Sequence, residues 1–186
     1  MKRYVFGYGS LVNSATHDYR DLRQARLPGW QRLWCTTNAR DLAFLSAEPA
    51  KDAFVDGVIA QVSEAAWAEL DIREASYDRH DVTDRIDHGL GGSVQIVTYS
   101  VPRSEPAPAP RPILLSYLDV VLQGYLRATD EKLAAQFFDT TLHWDGGIVN
   151  DRAAPMYPRA QPLSPQETAF VDAQIKAHGV RVTRPD

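Results

Sequence analysis

Five prolines crowd into the eleven residues PRSEPAPAPRP (102–112), and that run divides the chain into two kinds of text. Proline fixes φ and has no N–H to donate, so such a stretch is an extended surface loop and not a core element. Ahead of it, apolar residues fall mostly in short runs rich in β-branched and aromatic side chains; after it, they fall at helical spacing. Strands first and helices late favour a mixed α+β domain over an alternating βαβ sheet. At 186 residues the chain fits one domain, 1–186, with a core large enough to leave room for a pocket.

Residues 3–8 read as a first strand that ends in a glycine turn, 30–37 as a second after Pro28-Gly29, and 54–62 as a third. In the third, Ile59 breaks a clean two-face alternation, so both faces are expected to be partly covered. Ser63 can cap a helix over 64–75, and VTDRIDHGLGGSVQIVTYSV reads as two strands joined by a glycine-rich turn at 89–92. Helices are expected over 113–127 and 131–138. A last one, about 164–178, carries a capping box in Ser164, Pro165 and Glu167 and a stop at Gly179.

A formal charge of −4 and a pI near 5.7 argue against a nucleic-acid or membrane-surface binder and leave a small-molecule partner as the easier fit. No apolar run approaches bilayer length, and the short N-terminal one is cut by Gly7 and Gly9, so it reads as mature structure. The single cysteine, Cys35, has no intramolecular partner and suits a cytoplasmic location.

VFGYGSL (5–11) invites three readings that the next residue tests. A dinucleotide loop needs a small residue where Val12 stands, and a P-loop needs a Gly-Lys-Ser/Thr ending that is missing. A nucleophile elbow needs glycine two residues either side of Ser10, where Tyr8 and Val12 stand. The five histidines sit in no recognisable hydrolase or metal motif, so no metal site is expected.

AWAELDIREASYDR is more informative. In a helix over 64–75, Trp67, Leu70 and Glu74 lie at i, i+3 and i+7, so the core-facing stripe ends in a carboxylate. A desolvated glutamate has a raised pKa, which suits a group that takes a proton and gives it back. Spacing equally allows a solvated helix end on which Glu74 pairs with Arg73, Arg79 or another cation.

YGSL (8–11) and LDIREASY (70–77) together resemble the γ-glutamylcyclotransferase-like family. LPGWQR (27–32), DGVIAQV (56–62) and SYLDVVLQGY (116–125) are similar as well, so the likeness covers most of 4–125 and nothing specific in 126–186. The resemblance implies a small mixed β-barrel with flanking helices and a central pocket, and release of 5-oxoproline from a γ-glutamyl compound without a cofactor. In such a substrate the α-amine attacks its own γ-carbonyl, so no protein nucleophile is required. Glu74 carries over as catalytic acid and base, the loop of Gly7, Tyr8, Gly9, Ser10 and Leu11 as the substrate cradle, and Tyr117 as a pocket tyrosine. Leu11, where one branch has asparagine, looks more like the branch acting on glutathione. Arg32, Arg40, Arg79 and Arg159 are each candidates for a substrate carboxylate, and IVNDRAAPMYPRA (148–160) either closes the pocket or covers the barrel. The competing expectation is a small-molecule-binding or regulatory domain that turns nothing over.

Overall fold

The first strand, β1 (Lys2–Gly7), has a partner on each side, antiparallel β3 (Phe44–Gln61) and parallel β5 (Val94–Ser100). The computed structural model describes residues 1–38, 41–102 and 109–185; Arg40 and most of the proline-rich run, 103–108, lie outside the described residues. With β2 (Arg20–Cys35), β4 (Asp78–Asp81) and β7 (Thr141–Leu142), these strands form one mixed sheet in the order β4-β5-β1-β3-β2-β7. Among the described residues no ladder joins β4 to β7. The architecture is mixed α+β, as the order of elements suggests.

β2 and β3 are far longer than the 30–37 and 54–62 expected. RDLRQAR lies outside the expected strand, yet it pairs from Arg20↔Gln61, across an irregularity between Arg20 and Arg23, and on to Leu27↔Val55, with its charges turned to water. The ladder then shifts register between Pro28 and Trp30, opposite 50–53, where Asp52 takes φ 63°, and resumes from Trp30↔Pro49 to Cys35↔Phe44. A bulge of that kind bends a strand, so sequence alternation alone misses its continuity. The pair expected around the 89–92 turn is also displaced. Its first member is β4, and Thr83–Arg85 is a single 3₁₀ turn.

Alternation in β1 sends Tyr4 and Phe6 to one face and Val5 to the other, and both faces are covered. On the Val5 side, α1 (Glu64–Arg73) lays Trp67 and Leu70 against Ala60 and Val97. On the other side lie α2 (Leu115–Ala128) and α3 (Glu131–Asp139). α2 is buried almost all round, because the loop after β1 and α4 (Pro165–Ala177) cover what the sheet leaves open. The Ser164/Glu167 capping box is present at the start of α4. Residues 113–114, expected as helix, are instead strand β6 (Ile113–Leu114), which joins β8 (Ile148–Val149) and β9 (Val182–Thr183) in a parallel three-stranded sheet. Two-residue strands have no period to read. No helix of the described residues is long and apolar enough to cross a membrane.

Candidate active site

The turn after β1 is made by two glycines with little room around them. A Cβ on Gly7 would fall 2.6 Å from Leu11 Cβ, because the chain doubles back into a 3₁₀ turn over Ser10–Val12. Its first bonds run from Val12 N–H to Gly9 O (3.0 Å) and from Asn13 N–H to Ser10 O (3.1 Å). The amides of Ser10 and Leu11 precede those bonds and so have no partner within the turn. Buried Asn13 clamps the turn to α2, donating to Val120 O and to Gln123 Oε1, both at 2.9 Å. Gln123 donates in turn to Glu167 Oε2 at 3.1 Å.

Behind the turn, the Tyr8 hydroxyl donates to Tyr99 O at 2.6 Å, and burial pushes its pKa well above the ordinary value. The Tyr8 carbonyl lies 3.0 Å from the Tyr125 hydroxyl and 3.5 Å from Arg32 Nη1. Arg32 is 1% exposed, and its other donors reach the hydroxyls of Thr141 (2.7 Å), Thr140 (2.9 Å) and Tyr125 (2.7 Å). Its guanidinium also stacks 4.1 Å from the Phe137 ring centroid. This arginine is an internal strut and does not line the cavity, which removes it from the carboxylate candidates. Arg79 leaves them too, since it pairs with Asp71 at 3.2 Å on the surface. Arg40 is outside the described residues.

Glu74 follows α1 as its C-cap, where its N–H still reaches Leu70 O at 2.9 Å. Ser63 caps the other end of the helix, and the buried Trp67 and Leu70 set the rotation that brings Glu74 inward. Its side chain is 14% exposed, and Arg73 Nε stands 3.2 Å from its Oε1. The two readings left open by the spacing therefore both hold: the carboxylate is buried and it is paired. Burial raises its pKa above the ordinary value, against the opposing pull of Arg73 and Arg159.

A cavity of about 450 Å³ brings these parts together. Gly7, Tyr8, Gly9, Ser10 and Leu11 line it along with Glu74, Tyr117 and, from the 148–160 segment, Tyr157 and Arg159. That segment thus forms one wall of the pocket. Asp151, 1% exposed, anchors it by accepting from Ser116 N–H (2.8 Å), Ser116 Oγ–H (2.6 Å) and Met156 N–H (2.8 Å). Arg152 adds a two-pronged bond to Asp119, 2.7 Å on each arm. Tyr117 packs edge-on against Tyr157, ring centroids 5.0 Å apart, and its hydroxyl has no hydrogen bond among the described residues. Arg159 has no ion pair among them and, of the three candidate arginines that are described, is the one that reaches the cavity. Sequence reasoning missed Tyr99 in the lining and the bridging role of Arg73, neither of which has a local signal.

The family model described as gamma-glutamyl cyclotransferase, AIG2-like, matches residues 5–117. Among solved structures, the chain is similar to YkqA from Bacillus subtilis (TM-score 0.60, 19% identity), covering 74% of this chain and 53% of that one. The chain therefore spans about half the length of that relative. It is also similar to a structure titled gamma-glutamyl cyclotransferase (TM-score 0.59, 13% identity, 93% and 99% covered). A third is the Homo sapiens protein loc79017 (0.55, 15%, 92% and 98%). At such identities the likeness is one of fold. Comparison with curated proteins finds no match.

Proposed function

Because this chain belongs to the gamma-glutamyl cyclotransferase, AIG2-like family, we propose that it releases 5-oxoproline from a γ-glutamyl amide or peptide. The observation that carries the reading is that Glu74 and the turn Tyr8 to Leu11 face one cavity of a size suited to a small ligand. A γ-glutamyl substrate arrives with its α-amine as an ammonium. Glu74 takes one proton from it, and the freed nitrogen attacks the γ-carbonyl carbon to close a five-membered ring.

Charge then builds on the carbonyl oxygen, where the amides of Ser10 and Leu11 are the donors at hand. The ring nitrogen of the tetrahedral centre is then a secondary ammonium. As the bond to the departing amine breaks, protonated Glu74 returns its proton to that amine, and the freed carboxylate takes the remaining extra proton from the ring nitrogen and passes it on, so that the lactam N–H and an ammonium leave. Ring closure is intramolecular, so holding the glutamyl chain folded supplies much of the acceleration. The Tyr117 hydroxyl and Arg159 complete the cradle, with Arg159 receiving the substrate α-carboxylate. Its guanidinium is the cavity cation with no ion pair among the described residues, whereas Arg73 is already engaged.

The test is a panel of γ-glutamyl amino acids, γ-glutamyl amines and glutathione assayed for 5-oxoproline with the parent and Glu74→Gln. The variant is expected to lose about 10²- to 10⁴-fold in rate while ligand-induced thermal stabilisation persists. Full turnover by the variant on every substrate that the parent cleaves would remove Glu74 from its role. A parent that is stabilised by a panel member yet forms no product would be a binding domain instead.

A further inference from the structure

Arg73 is the last residue of α1, and its side chain is 8% exposed. Its guanidinium goes three ways. Nε faces Glu74 Oε1 at 3.2 Å, Nη2 donates to Ser10 Oγ at 3.1 Å, and Nη1 donates to the Thr16 carbonyl at 3.1 Å. Ser10 opens the glycine turn and Thr16 closes the same loop, tied back by its own hydroxyl to Ser10 O at 3.0 Å. Two arms of the fork therefore end on one loop and the third on the carboxylate. A guanidinium is planar with its donors in fixed directions, so anchoring two arms orients the third.

Glu74 needs such a hold. It sits at the C-terminal end of α1, where the helix dipole disfavours negative charge, and it is mostly buried. Arg159 faces it from the 148–160 segment, Tyr8 from the turn, Tyr117 from α2 and Tyr19 from the loop before β2. His17, whose ring nitrogen bonds to Leu11 O at 2.9 Å, feels the same Arg73 charge. Among the described residues, only Arg73 both pairs with the carboxylate and donates to the turn.

We propose that Arg73 is a positioning residue that locks the Glu74 carboxylate in register with the Ser10 turn, keeping proton acceptor and oxyanion donors aligned during ring closure. The inference rests on the cyclotransferase reading of this site. It also explains why a neighbouring cation is compatible with a base: the pairing costs some basicity and fixes direction.

The experiment uses the full chain with Arg73→Met, Arg73→Lys and Ser10→Ala. It combines an NMR titration of the Glu74 carboxyl carbon with pH profiles of 5-oxoproline release. In R73M the Glu74 midpoint is expected to rise by about one pH unit, carrying the acid limb of kcat/KM upward with it. Its kcat falls about 10- to 100-fold while KM stays within about threefold. R73K restores the acid limb, because charge is restored, but not kcat, because one ammonium cannot span both anchors. S10A leaves the acid limb in place and lowers kcat by a smaller factor.

An R73M variant with parental kcat and parental Glu74 midpoint overturns the proposal. A raised KM at unchanged kcat overturns it too and makes Arg73 a substrate ligand. The titration needs no turnover, so a midpoint that rises in a chain forming no 5-oxoproline supports the bridge while overturning the reaction.

Discussion

A Cβ placed on Gly9 would stand 2.8 Å from the Tyr117 hydroxyl oxygen. The turn after β1 and the helix on the far wall of the pocket therefore touch at a spot where only a hydrogen fits. Gly9→Ala should push the phenol aside and cost about 1–3 kcal/mol of stability. In a Tyr117→Phe background the same substitution should cost less, because the obstructing oxygen is gone. Urea unfolding of the four chains in this cycle checks the coupling; additive effects would show that Leu45, 3.2 Å away, is the true obstacle.

The raised pKa of Glu74 fixes the sign of a pH effect. A carboxyl that binds its proton more tightly in the folded chain adds stability below the ordinary value of 4.5 and forfeits it as pH rises through the folded value. Glu74→Gln should accordingly be at least as stable as the parent at pH 7, and the gap should close toward pH 4. Denaturant midpoints at the two pH values decide it. A variant much weaker than the parent at pH 7 would mean that the Arg73 pairing outweighs burial.

Asp151 receives hydrogen bonds on both oxygens, which asparagine cannot reproduce with one acceptor. Asp151→Asn should lose about 1–3 kcal/mol of stability. Because the same carboxylate seats the segment bearing Tyr157 and Arg159, KM for 5-oxoproline release should rise as well. Steady-state kinetics at a temperature where the variant is still folded separate the two effects.

Arg159→Ala removes the cavity cation without an ion pair and touches no core contact, so thermal stability should hardly change. KM should rise about tenfold or more, the expected loss for a charge-assisted bond to a carboxylate, with kcat within about threefold. A collapse of kcat at constant KM would place Arg159 at the reacting centre instead of at the substrate's tail.

Features set by local chemistry were readable from the letters. Ser164 and Glu167 answer each other across one helical turn, and Glu74 falls on the stripe of Trp67 and Leu70 because helical spacing puts it there. Features set by partners far along the chain were not. RDLRQAR reads as surface text until Val55 to Gln61 pair with it. Arg32 looks like any other exposed arginine until Thr140, Thr141 and Tyr125 close around it. NDRAAP reads as a turn, and nothing in it announces that Asp151 is buried under α2.

The relay from Asn13 through Gln123 to Glu167 has a practical meaning for engineering. Residues 5–117 are the stretch matched by the family model, yet the amide that pins their glycine turn is braced from a helix near the opposite end of the chain. A graft of that stretch onto a foreign scaffold would import Glu74 and the glycine turn and leave their brace behind. The pocket is not portable as a cassette, and a designer who wants to move it has to move α2 and the start of α4 with it.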